Sequence, residues 1–194
     1  MKKIALGGLV AGFIYFAFQS IMWMGGFHND FSQYTSNSKA ILDVLNQNLT
    51  GDGLYMIPSA DPNSPTKEKE EEELMTNNLG KPWAMIFYHQ QMDGMSASYL
   101  LLGVLYAMLS GFLVAFVLYY GAFEHYSIRF AVSICFALFA LFQGILDDMN
   151  WFSFPWHYIK AEMIDLLLGW TLSSLWLAWY FNKSNKLILY NFNK

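Results

Sequence analysis

Acidic side chains gathered where an otherwise apolar chain turns back are the residues best placed to do chemistry. Between Gln143 and Trp170 the stretch QGILDDMNWFSFPWHYIKAEMIDLLLGW sets Asp147, Asp148, His157, Glu162 and Asp165 around a short aromatic segment. On a helix Glu162 and Asp165 share a face, and Gly169 extends it. Gln143 and Asp147 stand one turn apart on the preceding apolar run. Asp165 is the sharpest of these, because an acid about a turn and a half past an aromatic belt costs roughly 2.5–3.5 kcal/mol on insertion scales. It is a candidate to hold a proton, a cation or a metal, with Glu162 and Gln143 as intramembrane companions. The competing expectation is a structural network in which Asp165 binds Gln143, a backbone group or Lys160.

His28, His89 and His157, with Asp147 and Asp148, form a second candidate set. Imidazole and carboxylate ligands suit Zn or Cu. No HxxxH or HExxH pair is present, so the ligands would have to come from separate segments. The expectation is therefore no resident cofactor, with Zn or Cu as the alternative. Other chemistry lacks its parts. Ser173 and Ser174 lie deep in an apolar run without a GxSxG or a partnered base, and nucleophilic hydrolysis needs both base and oxyanion hole. Cys135 is the single cysteine, which removes intramolecular disulfides and CxxC exchange. Histidines paired for haem are missing too, and no catalytic residue is assigned.

The elements that must position these residues follow from composition. Hydrophobic residues make up 55% and charged residues 13% of the 194-residue chain, against about 25% charged in a typical soluble domain. The apolar residues are concentrated in four blocks, each near the roughly 20 residues a helix needs to cross a bilayer. They predict an α-helical integral membrane protein, a four-transmembrane-helix bundle with a small extracytoplasmic α+β domain inserted between helices 1 and 2. The spans are placed at 4–26, 94–121, 127–148 and 158–182, with the inserted domain at 27–93, an aromatic outer turn at 149–157 and a basic tail at 183–194. Gly8 and Gly12 form a GxxxG in the first span, and Gly103, Ala107 and Gly111 mark a small-residue face in the second. Within the insertion, SNSKAILDVLNQN and TKEKEEEELMTNN read as helices, the second equally as a solvated loop. LYMIP and WAMIFYH read as partner strands.

Lys2, Lys3, Arg129, Lys183, Lys186 and Lys194 fall on one side of the spans, and most acids fall on the other. The positive-inside rule then puts both termini in the cytoplasm and the insertion and aromatic turn outside, in a bacterial inner membrane. The net charge of −4 and the lack of a Lys/Arg stripe exclude nucleic acid as a partner. The plan of four spans with a large first outer loop is similar in outline to claudin-type and tetraspanin-type proteins. The loop cysteines of both are missing, so no residue role carries over. The leading expectation is a non-enzymatic accessory, assembly or interaction subunit that docks a partner through its outer domain, among membrane lipids and other subunits or copies of itself. The alternative is a metal-, cation- or proton-handling protein with its carboxylate and histidine site at the outer mouth of the bundle.

Overall fold

The computed structural model describes residues 1–182, so the expected basic tail at 183–194 lies outside the described residues. The chain forms two compact units: Thr35–Gly94, and Met1–Tyr34 together with the chain from Met95 onward. In chain order the elements are α1 (Lys2–Met24), α2 (Ser38–Asn48), β1 (Gly53–Ile57), α3 (Lys67–Asn78), β2 (Ala84–Tyr88) and α4 (Ala97–Tyr120). Two further long helices follow, α5 (Tyr126–Phe152) and α6 (Trp156–Asn182). Helices α1, α4, α5 and α6 are long and apolar enough to cross a membrane, which fits an integral membrane protein.

The ends of α1 and α5 have local reasons. Past α1, Gly26 adopts φ +77, a left-handed conformation that costs glycine little. Past α5, Ser153 turns left-handed at φ 55, and Pro155, which has no N–H to contribute, precedes the first turn of α6. The turn is therefore Ser153–Pro155, shorter than the 149–157 expected. Aromatic residues on both sides remain helical, because nothing before Ser153 or after Pro155 breaks the hydrogen-bond ladder.

The small-residue faces of α1 and α4 meet. A Cβ on Gly8 would lie 2.5 Å from Phe112 Cα, and one on Gly12 2.5 Å from Ala107 O, so the two backbones touch directly. Helix α6 is tied to its neighbours by polar contacts as well. Ser173 Oγ donates to Ala11 O (2.8 Å), Trp176 Nε1 to Gly7 O (3.2 Å) and Trp170 Nε1 to Ser133 O (2.8 Å). Ser133 and Ser174 share a hydroxyl–hydroxyl bond of 2.8 Å. Arg129, near the start of α5, is wholly buried. It donates to the carbonyls of Phe123, Glu124 and Ala178 and to Asn182 Oδ1, fastening the α4–α5 connector to the end of α6. Cys135 is exposed on α5.

In the second unit β1 and β2 pair antiparallel from Gly53↔Tyr88 to Ile57↔Ala84. The acidic run is helical as α3, and the Ser64 and Thr66 hydroxyls bind Glu70 at its start (2.5 and 2.8 Å). Those bonds, Ser64 first, hold the Glu70 carboxyl below its usual range. Tyr88 is the only fully buried residue of this unit among the described residues, and its hydroxyl donates to Asn46 Oδ1 at 3.0 Å.

Candidate functional site

Asp165 opens a π-helical turn, Asp165–Gly169, in α6. Such turns add a residue to the helical repeat and re-aim the side chains around them, often at functional sites. Gly169 closes the turn tightly against α1: a Cβ there would come within 2.9 Å of Tyr15 and Phe18 ring atoms. Asp165 is 1% exposed, inside the bundle and not toward lipid.

Both of its oxygens are engaged from one segment of chain. Trp23, in the last turn of α1, donates its indole N–H to Oδ2 at 2.6 Å. His28, just past the Gly25-Gly26 break, brings Nε2 to Oδ1 at 2.7 Å and is itself 3% exposed. The Trp23 ring meets those of His28 and Phe31 edge-on, with centroids 5.0 and 5.1 Å apart, which fixes the imidazole from its side. A second tie reinforces the first: Lys160 Nζ, on α6, donates to Asp30 Oδ2. The Lys160 hydrogen bond holds the Asp30 carboxyl below its usual range, and the Lys160 and His157 charges act the same way.

Glu162 lies one turn before Asp165, half-buried, within electrostatic reach of Asp165, His28 and Asp148. Tyr15 on α1 faces Asp165 and Glu162. Two carboxylates thus stand beside one imidazole in a place largely closed to water, while the nearby lysine is engaged by Asp30. Deeper along the bundle, Leu166, Trp170, Val114, Phe136 and Ala137 border a mainly apolar cleft of about 270 Å³. That lining is a poor route for a proton or ion.

The expected residues are therefore only partly brought together. Asp165 binds neither Gln143 nor Lys160. Gln143 lies exposed on a second π-helical turn, Leu141–Ile145, and Lys160 reaches Asp30 instead. Asp147, Asp148 and His157 are half-buried near the α5–α6 turn. His89 belongs to the inserted unit, where its Nδ1 lies 3.5 Å from Asp52 Oδ2, both side chains being exposed. Asp52 also accepts the Gln90 N–H at 2.8 Å, the main reason its carboxyl is held below the usual range. Among the described residues no three His, Cys, Asp or Glu side chains converge to hold a metal ion, so the zinc or copper expectation gains no donor set from the fold.

Trp23 and Tyr15 were not anticipated as site residues. The signal for Trp23 was its place in WMGGFHND, an indole and an imidazole flanking a Gly-Gly break at the end of a span. Arg129 was counted only as a topology charge, although its burial makes it a structural clamp. No family model, no curated protein and no solved structure matches the chain.

Proposed function

We propose that this chain is a non-enzymatic integral membrane protein that takes up a proton at the Asp165 end of its helix bundle. In this reading that end faces outside, and both termini lie in the cytoplasm of a bacterial inner membrane. The observation that carries it is the charge arithmetic of the site. Asp165 and Glu162 together bear two negative charges when ionised, and His28 can neutralise one. Leaving a net charge in a poorly solvated place is costly, so the neutral cluster holds one further proton. The mainly apolar cleft lined by Tyr15, Leu166 and Trp170 favours binding from the His28 side over conduction through the bundle.

Infrared difference spectra of the protein in nanodiscs test this. Between about pH 8 and about pH 5, above the range where ordinary Asp and Glu titrate, a buried carboxylic-acid C=O signal should grow in. Asp165→Asn or Glu162→Gln should remove or shift it. Spectra without such a signal would end the proton-binding reading.

A second reading, an accessory subunit that docks a partner through the inserted unit, has its own support. Ile41, Leu42 and Val44 on α2 are 48%, 57% and 58% exposed, and Leu54, Met56 and Phe87 of the sheet are also uncovered. Purification from the native membrane in mild detergent, followed by mass spectrometry and metal analysis, separates the two. Companion subunits lost on Ile41→Asp with Val44→Asp, while the infrared signal persists, would establish docking. Stoichiometric Zn or Cu in that sample would favour the metal alternative.

A further inference from the structure

The segment that supplies His28 to Asp165 is also the stem through which the chain enters the inserted unit. Residues 25–34 leave α1, and the second compact unit begins at Thr35. Within the stem, His28 is held by Asp165 and Asp30 by Lys160, both from the first turns of α6. Trp23 meets both His28 and Phe31 of the stem edge-on, and it shares the Asp165 carboxylate. The buried Asp165 carboxylate therefore fastens the stem to the bundle at His28, with the exposed Asp30–Lys160 pair as a second tie.

We infer that the stem carries a proton-released strap: proton uptake at Asp165 frees His28 and loosens the stem around it. The inference rests on the proton-binding reading and names what that proton regulates. A proton from the outer water forms an O–H bond on the Asp165 carboxylate and cancels the negative charge that held His28. A protonated His28 then loses the carboxylate it was bonded to and keeps only the more distant, half-buried Glu162 as a counter-charge, so it gains by moving out to water. The groups facing the pair decide where the proton settles. These are Tyr15 on α1, Asp148 on α5, and Glu162 on α6, with Lys160, Asp30 and His157 at the rim. The strap holds while the Asp165 carboxylate carries its charge and is lost when a proton cancels that charge. The Asp30–Lys160 tie outlasts it, because the Asp30 carboxyl lies below its ordinary 3.8.

Hydrogen exchange of the full-length protein in nanodiscs reads the strap directly, on peptides covering residues 25–34. At about pH 8, above ordinary carboxyl titration, Asp165→Asn should exchange about tenfold or more faster than wild type in this segment, the loss expected for a charge-assisted bond. The α4 peptides serve as the unchanged reference. After correction for intrinsic rates, the wild type should show the same release on acidification. Glu162→Gln should move that release to lower pH, since removing a neighbouring negative charge makes Asp165 harder to protonate. A merely structural Asp165 would not show this last shift. If Asp165→Asn does not fold, His28→Ala removes the strap without altering a spanning helix and should give the same fast exchange. Unchanged stem protection in these variants overturns the strap. With the infrared signal present, that result leaves proton binding standing; without the signal, both fall together.

Discussion

Alanine at Gly111 is the most direct probe of what holds the bundle together. Its Cβ would stand 2.8 Å from Gly12 N and 3.2 Å from Gly8 C, and it would also overlap Gly8 O. All of these are backbone atoms, so no side chain can rotate away, and α1 and α4 must separate. A gap of about 0.5–1 Å forfeits a quarter to a half of each dispersion contact it opens. Overpacking of this kind costs roughly 1–3 kcal/mol, offset by at most about 1 kcal/mol from the better helix propensity of alanine. Gly144→Ala on α5 is the matched control, because a Cβ there meets nothing within 4 Å. It should be neutral or stabilise by up to about 1 kcal/mol. Reversible unfolding in mixed micelles, titrated with a denaturing detergent, should therefore separate the two variants by about 2 kcal/mol. Adding Gly8→Ala to Gly111→Ala should cost less than the sum of the singles, since the seam is already open. If Gly111→Ala were no less stable than Gly144→Ala, direct backbone contact between α1 and α4 could not be the source of the bundle's cohesion.

Three further outcomes are expected. Arg129→Ala should destabilise by about 3 kcal/mol or more in the same unfolding assay, because three carbonyls and Asn182 lose a charged donor inside the protein. Arg129→Lys should recover only part, lacking the planar fork that reaches several acceptors at once. A double-mutant cycle on Ser133→Ala and Ser174→Ala should return a coupling of about 0.6 kcal/mol and not above about 1.7 kcal/mol, the range for hydrogen bonds between spanning helices. The Asp30 carboxyl is lowered on folding by Lys160, so its contribution is present above the ordinary 3.8 and lost as pH falls through the lowered value. Stability measured against pH should show this acid loss in the wild type and not in Asp30→Asn.

Hydropathy, composition and turn chemistry were enough to place four long apolar helices, the small-residue faces of α1 and α4, and the strands β1 and β2. Each depends on a pattern within some twenty residues, and nothing elsewhere in the fold overrides it. The GxxxG of α1 was legible because close approach needs only that side chains be absent. The aromatic stretch was misjudged in length, since Trp and Phe are compatible with both helix and interface. Only Ser153 and Pro155 mark where the ladder breaks.

The site was legible as a set of costly residues and illegible as a set of partners. Asp165 stood out because an acid in an apolar run needs compensation, and that need is a property of the residue. Which group supplies the compensation is a property of packing. Gln143 and Lys160 were the candidates by sequence proximity, whereas the partners that satisfy it, Trp23 and His28, lie more than 130 residues away. They reach it because the α1–α4 and α1–α6 seams bring the end of the first helix beside the π-helical turn of the last. Arg129 likewise carried a topology charge in the sequence and became a buried clamp only once the ends of α4 and α6 converged on it. Local pattern determines which segments become helices and which side chains cannot be left alone; tertiary packing alone decides who meets them.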